Sequence, residues 1–357
     1  MFTSSASIRV HLRLLLLTAL LGAADPTAAE PDAHALYQQH CAACHGADRL
    51  GGQGPALLPQ NLSRLRPPAA ARSIAEGVAA TQTPAFGEQL TGPEIQALVD
   101  LIYTPLDRVP EWGAEQIRAS RNVFEDNVGL PDRPVFDADP MNLFFVVEKG
   151  DHHATVLDGD SFEPIHRLPT RYALHGGPKY SPDGRFIHMV SRDGWVTRYD
   201  LWNLKTVAEV RVGINTRNIA VSADGRYLMA ANYLPHTLVL LSTETLELER
   251  VIPVVDDHGA SSRVSAVYTA PPRHSFIAAL KDLKEVWEIP YSDQAEALPV
   301  YTGVMHDYRA ESGEAPLVDE RRFPVRRIKV DDYLDDFFFD PGYRHLVGAS
   351  RDGGGQV

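Results

Sequence analysis

The sequence predicts two unlike parts in one chain: a small all-α domain over residues 30–104 and, after a connector over 105–140, an all-β domain over 141–357. Three observations carry that division. Thr91-Gly92-Pro93-Glu94 opens a run in which Ile95, Leu98, Val99 and Ile102 recur at helical spacing, with a threonine suited to cap the first turn. From Asn142-Leu143-Phe144-Phe145-Val146-Val147 onward, short apolar alternations are divided by turns. Among them Ser181-Pro182-Asp183-Gly184-Arg185-Phe186 recurs as Ser222-Ala223-Asp224-Gly225-Arg226-Tyr227, a 41-residue spacing from 181 to 222.

The bulk numbers agree with a globular protein of two domains. Of 357 residues, 44% are hydrophobic and 23% charged. A formal net charge of −13 excludes a general nucleic-acid binder, which needs a basic face. Two cysteines, three positions apart, exclude a disulfide-rich scaffold. At the N-terminus, Arg9, His11 and Arg13 precede the apolar run Leu14 to Leu21, and Thr27-Ala28-Ala29 offers a cleavage site. Residues 1–29 therefore read as a secretory signal peptide. The run is short of the roughly 20 residues that span a bilayer, and no later stretch is long enough. A periplasmic protein without a membrane span is the expectation.

Cys41-Ala42-Ala43-Cys44-His45 is the pattern that holds a haem covalently. The thiols add to the porphyrin vinyls, and the adjacent histidine reaches the iron. A bare Cys-x-x-Cys also suits a redox dithiol or half a zinc site. The immediate histidine, the lack of a second cysteine pair and the export signal favour one haem c. Leu36 to His40 reads as the short helix before the motif, and Gly46 with Gly51 to Leu57 as the haem-packing loop of small c-type cytochromes. Such domains usually supply a methionine as second axial ligand. Here Gln82-Thr83-Pro84-Ala85-Phe86-Gly87 has Thr83 in that place, and no methionine occurs between Met1 and Met141. His34, His40 or an open position are the alternatives.

In the connector, Pro110-Glu111-Trp112-Gly113 leads into about three helical turns from Ala114 to Val123, and Leu130-Pro131-Asp132-Arg133-Pro134 ends them. In the β domain the recurring turns each precede an apolar strand, Phe186 to Val190 and Tyr227 to Ala231, with further strands at Trp195 to Leu201 and Thr237 to Ser242. Degenerate copies stand at Pro272 to Phe276 and Asp340 to His345. Four-stranded units repeating every ~40–45 residues predict a β-propeller. The 217 residues from 141 onward suffice for about five such blades. The last residues, Arg351 to Val357, fall within a hairpin, and a truncated propeller is the expectation.

A cytochrome c module followed by a propeller resembles the cytochrome cd1 nitrite reductase family over nearly the whole mature chain. The residues that carry the resemblance are Pro110 to Gly113 with Asp132-Arg133-Pro134, Tyr172-Ala173-Leu174-His175, Arg192-Asp193-Gly194 with Asp200-Leu201-Trp202, and Thr243 to Glu247. The resemblance implies an eight-bladed propeller that binds haem d1, with His175 as its proximal iron ligand. It also places Arg192, Arg217, Arg263 and Lys281 at positions similar to the family's haem d1-binding cations, and several carboxylates on that macrocycle call for such a set.

One departure matters. The reductases carry a distal histidine in a Phe-Leu-His-Asp-like segment, whereas Tyr333-Leu334-Asp335-Asp336-Phe337 has Asp335 there. An unperturbed aspartate titrates about 2.5 units below histidine and is a poor proton donor near neutrality. His306, in Met305-His306-Asp307-Tyr308, is a candidate catalytic histidine from a long loop. Loss of the distal histidine with the rest retained is similar to dihydro-haem d1 dehydrogenase, the c-type cytochrome that completes haem d1 synthesis. That resemblance implies oxidation of a propionate on dihydro-haem d1 to an acrylate, with electrons leaving through haem c. Its implied partners are the tetrapyrrole, an electron acceptor and the nitrite reductase itself. The rival readings are a divergent nitrite reductase, a non-enzymatic haem d1 carrier, and an electron-transfer cytochrome with a protein-binding propeller.

Overall fold

Local capping starts the first helix. Asp32 accepts a hydrogen bond from Ala35 N (3.0 Å) ahead of α1 (Ala33–His40), and Cys41 turns the chain into α2 (Ala42–His45). A computed structural model describes residues 30–108, 110–124, 129–295 and 322–351. The expected signal peptide at 1–29 and His306 lie outside the described residues. α3 (Pro67–Glu76) begins with proline in its first turn and was not expected from the sequence pattern.

α4 (Gly92–Tyr103) has the expected cap in reciprocal form. Glu94 N donates to Thr91 Oγ1 (3.5 Å), and Thr91 N donates to Glu94 Oε2 (2.7 Å). Its Ile95, Leu98, Val99 and Ile102 are all buried and pack with Tyr37, Leu62, Ala70 and Leu90 into one small core. Each such side chain contributes roughly 1.5–3 kcal/mol of hydrophobic stabilisation.

In the connector, α5 (Ala114–Ser120) ends before the expected Val123. The next residues instead form β1 (Asn122–Val123), paired antiparallel with β8 (Lys205–Arg211) at Asn122↔Glu209 and Val123↔Ala208. The outer edge of β8 offers unpaired backbone groups, and pairing them outweighs one more helical turn. Ile117 of α5 packs with Val190, Val196 and Val210, so α5 is bound to the β domain.

The β domain is a series of antiparallel meanders. A three-stranded sheet comprises β2 (Leu143–Glu148), β3 (His153–Asp158) and β4 (Pro164–Pro169). Next come β5 (Lys179–Tyr180), β6 (Phe186–Val190) and β7 (Trp195–Asp200), completed by β8 and edged by β1. A third sheet holds β9 (Asn215–Val221), β10 (Tyr227–Leu234), β11 (Thr237–Ser242) and β12 (Leu248–Pro253). A fourth holds β13 (Val264–Ala270), β14 (Ser275–Leu280), β15 (Glu285–Pro290) and β16 (Arg326–Lys329), and β17 (Phe338–Phe339) pairs with β18 (Leu346–Val347). Successive sheets pack face to face: Met229, Leu238 and Leu240 meet Phe276, Ala278 and Trp287. Inner strands covered on both faces lose period-two alternation, and all six residues of β14 are buried. This is a β-propeller domain behind a cytochrome c-type helical domain.

The recurring turns are chemically identical. Ser222 Oγ accepts from Tyr227 N (2.9 Å) and donates to Asp224 Oδ1 (2.6 Å), which also accepts from Arg226 N (3.1 Å). Ser181, Asp183, Arg185 and Phe186 repeat the same bonds. Gly184 and Gly225 take φ of 74° and 72°, a region that favours glycine.

Strand direction then decides which loops share an end. In the β5–β8, β9–β12 and β13–β16 sheets the turn between second and third strands, and the connection that follows the fourth strand, lie at the end opposite the first turn, where the Ser-x-Asp-Gly sequences stand. His175, Arg192, Tyr233, Arg263, Lys281 and Asp335 all occupy that first set of loops or the adjoining strand ends. The β2–β3 turn belongs there too.

Candidate functional site: two histidine crevices on one end

The helical domain builds its crevice around α2. Cys41 and Cys44 are free thiols on either side of the turn. His45 Nδ1 is 2.8 Å from Pro55 O, so Nδ1–H donates to the carbonyl and the Nε2 lone pair remains for a metal. Gly51 N donates to His45 O and Gly54 N to Cys44 O, both at 2.8 Å, drawing the loop against the ring. A Cβ on Gly54 would stand 2.7 Å from His45 Cε1, so glycine is required there.

Burial lowers the His45 pKa and keeps the ring neutral, the ligand form. Burial, with Cys44 nearby, pushes the Cys41 thiol up to about 11, unlike an activated dithiol. Among the described residues no three His, Cys, Asp or Glu side chains converge to hold a metal ion, so a zinc site has no second half. The free thiol pair, the oriented imidazole and the glycine-lined cradle fit a covalent haem c. The sixth position is less defined. Thr83 is exposed, His34 is exposed on α1, and His40 lies edge-on to Phe86 with ring centroids 5.8 Å apart.

The propeller crevice centres on His175. Its Nδ1 is 2.6 Å from Arg217 O, again donating to a carbonyl and freeing Nε2. Beside it is a cavity of about 250 Å³ lined by Val147, Lys149, His175, Gly177, Met189 and Val190. Gly176, at φ 78°, comes so near Asn218 that a Cβ would lie 2.7 Å from its Oδ1. Burial first, then the charges of Arg192, Lys149 and Arg64, lower the His175 pKa to about 4, with Asp336 opposing. The ring is neutral at physiological pH.

Three of the four expected cations converge on one aromatic ring. The guanidinium carbons of Arg217 and Arg263 lie 4.8 and 5.3 Å from the Tyr233 centroid, and Lys281 Nζ lies 5.6 Å from it. Two of these cations already have carboxylate partners. Arg263 Nε donates to Asp282 Oδ2 (2.8 Å), and Lys281 pairs with Asp335. Asp335, in the reductases' distal histidine position, is thus engaged as an ion-pair partner. Arg192 and Arg217 have no ion pair among the described residues, and Arg217 Nε is buried without a hydrogen-bond partner.

Lys149, Arg64 and Tyr233 were not expected from the sequence. Lys149 opens a Lys-Gly-Asp turn after an alternating strand, a usable signal. Arg64 comes from the other domain, and nothing local announces it.

The two domains meet directly. Gln82 Nε2 donates to Asp151 O (3.2 Å) in the β2–β3 turn, and Ala56 and Leu58 pack with Ile214 and Leu234. Between the domains lies a cavity of about 580 Å³ lined in part by Gln53, Gln82, His152 and Tyr172. The His152 and Tyr172 rings meet edge to face at 5.0 Å.

Comparison with known proteins matches both domains. Residues 138–309 fit the model of the Cytochrome D1 heme domain family, and residues 28–102 fit that of cytochrome C oxidase, cbb3-type, subunit III. Dihydro-heme d1 dehydrogenase of Pseudomonas aeruginosa is 54% identical across 96% of this chain. The nitrite reductase of Stutzerimonas stutzeri is 25% identical across 77% of it. The solved structure of dihydro-heme d1 dehydrogenase NirN in complex with DHE superposes with a TM-score of 0.77, at 55% identity over 90% of this chain. The chain spans 64% of the length of the first relative, 54% of the second and 63% of the solved chain. One segment of the chain thus fits a cytochrome c-type family model and another a cytochrome D1 heme domain model, and in both sequence and fold the chain is similar to dihydro-heme d1 dehydrogenase.

Proposed function

We propose that this chain is a periplasmic c-type cytochrome dehydrogenase that oxidises a propionate side chain of dihydro-haem d1 to an acrylate, the last step of haem d1 synthesis. The observation that carries the reading is His175, neutral, tied at Nδ1 to Arg217 O and surrounded by Arg192, Lys149 and Arg64. A neutral imidazole with Nε2 free suits a macrocycle's iron, and the surrounding cations suit its carboxylates. Similarity to the dehydrogenase selects the tetrapyrrole and its oxidation.

The residues divide the work. Cys41 and Cys44 hold haem c and His45 ligates its iron; that group, when attached, accepts one electron at a time. His175 holds the substrate iron. Arg192 and Arg217 bind carboxylates of the substrate, and Arg263 and Lys281 add positive charge while holding Asp282 and Asp335. The propionate CH2–CH2 unit loses two protons and two electrons to become CH=CH. The electrons leave in single steps to a periplasmic electron acceptor, and the product serves the cytochrome cd1 nitrite reductase. His306, outside the described residues, remains the candidate catalytic histidine. Nitrite reduction is disfavoured by Asp335, which is committed to Lys281 rather than poised to donate a proton.

The test mixes holoprotein with dihydro-haem d1 and an artificial one-electron acceptor without oxygen, with nitrite in a parallel cuvette. Extracted tetrapyrrole should lose two hydrogens by mass, without nitrite turnover. Binding without mass change would indicate a carrier, nitrite consumption a reductase, and no binding would reject the tetrapyrrole reading.

A further inference from the structure

One guanidinium bonds backbone carbonyls of both domains. Arg211 ends β8 and is 7% exposed. Its Nε donates to Asp193 O (2.8 Å) and Gly213 O (3.2 Å), and its Nη2 donates to Leu50 O of the helical domain. Trp112 covers it, with the ring centroid 4.6 Å from the guanidinium carbon, and Trp112 Nε1 donates to Arg211 O (2.8 Å).

Two of these carbonyls, Leu50 O and Asp193 O, belong to segments with a further task. Leu50 precedes Gly51, whose N–H donates to the carbonyl of His45. A Cβ on Gly51 would stand 3.4 Å from Arg211 Nη2, so the loop lies directly on the guanidinium. Asp193 follows Arg192. Arg192 N donates to Ala173 O, and Thr216 N donates to Arg192 O, both at 3.2 Å. These bonds tie the turn to the segments that carry His175 and Arg217. Asp193 Oδ2 is buried without a hydrogen-bond partner beside this guanidinium, whose donors go to backbone carbonyls instead. A planar fork clamped by three carbonyls and an indole has little freedom to absorb a displacement; it transmits it.

We infer that Arg211 is a positioning residue that couples the two cofactor sites, so that filling the tetrapyrrole site changes the redox equilibrium of haem c. The inference rests on the haem c and tetrapyrrole reading above. When Arg192 takes a ligand carboxylate, its turn adjusts, and Asp193 O moves with it. Arg211 carries the shift to Leu50 O and so to the loop packed on His45. Linkage makes the effect reciprocal: reduction of haem c changes tetrapyrrole affinity by the same factor.

The experiment titrates haem c spectroelectrochemically in the full chain, with and without haem d1, which as product undergoes no dehydrogenation. The wild type should show affinities for oxidised and reduced protein that differ about fivefold or more. Arg211→Gln and Arg211→Lys should bring that ratio to about one, the lysine because a point charge cannot span the carbonyls. Both should keep their covalent haem and bind haem d1 in the oxidised state. Trp112→Phe, which keeps the guanidinium and its three acceptors, should keep the coupling. An unchanged ratio in Arg211→Gln overturns the inference. So does loss of coupling only because small-angle scattering shows the two domains apart. Wild-type binding without a potential shift rejects the inference alone, whereas no binding rejects the functional reading and the inference with it.

Discussion

His45 and His175 are built on one plan and surrounded by different chemistry. Each hands Nδ1–H to a backbone carbonyl, Pro55 O at 2.8 Å or Arg217 O at 2.6 Å, and each is kept neutral by burial. Around His45 the loop is glycine-rich and the neighbours are two thiols. Around His175 stand Arg192, Lys149 and Arg64. On the proposed function, the difference separates a group held by covalent bonds from one held by charge and exchanged. A permanent cofactor needs shape, and a passing anionic ligand needs cations that are not already paired.

That contrast can be broken at several points. The largest effect is expected at the thiols: Cys41→Ser with Cys44→Ser should abolish haem retained after denaturation, read by haem staining or mass, with the propeller still folded. Next, His175→Ala should weaken tetrapyrrole binding on the order of 100-fold, since the iron ligand itself is lost, and leave the haem c spectrum unchanged.

The cations should rank by partner. Arg217→Gln removes a charged donor without a carboxylate of its own, worth about 1.5–3 kcal/mol or roughly 10- to 100-fold in affinity. Arg263→Gln should cost less binding, because Asp282 already holds that guanidinium. Equal losses in an absorbance titration would show that the ion pairs do not decide which cations bind.

A pH effect follows from the histidines. The folded pKa of His175, and that of fully buried His188, lie at about 4, below the ordinary 6.5. The unfolded chain therefore binds more protons between these values. Stability should be lost as pH falls from about 6.5 through about 4, and tetrapyrrole binding should fail at the lower end. Acid unfolding followed by circular dichroism reads the first effect, and His188→Gln should flatten part of it. The smallest effect belongs to the turns. Gly225→Ala, at φ 72° with Pro182 Cδ only 2.7 Å from the new Cβ, should cost about 1–2 kcal/mol in urea unfolding.

Local features were legible and distant ones were not. The α4 cap, its four buried residues and the Ser-x-Asp-Gly turns each depend on residues within a few positions, and the structure shows them as read. The end of α5 was misplaced because β1 forms only when β8 lies beside it. The Lys281–Asp335 pair spans 54 positions, and no periodicity in either segment announces it. Tyr233 has the same difficulty: Arg217 from its own sheet and Arg263 and Lys281 from the ends of the next sheet's strands meet on it, and only strand direction brings them together. Its neighbourhood could have been anticipated by assigning loops to ends before choosing cations.

Placing His175 and the expected cations Arg192, Arg263 and Lys281 at one end of the strands has a practical corollary. The Ser181–Arg185 and Ser222–Arg226 turns point the other way, held by their own hydrogen bonds and far along the strands from both histidines. A tag, a dye or an electrode linker attached there would orient the molecule with the His175 end outward. Immobilisation through those turns should therefore preserve exchange with soluble partners, while attachment through the Gln82–Asp151 seam would block it.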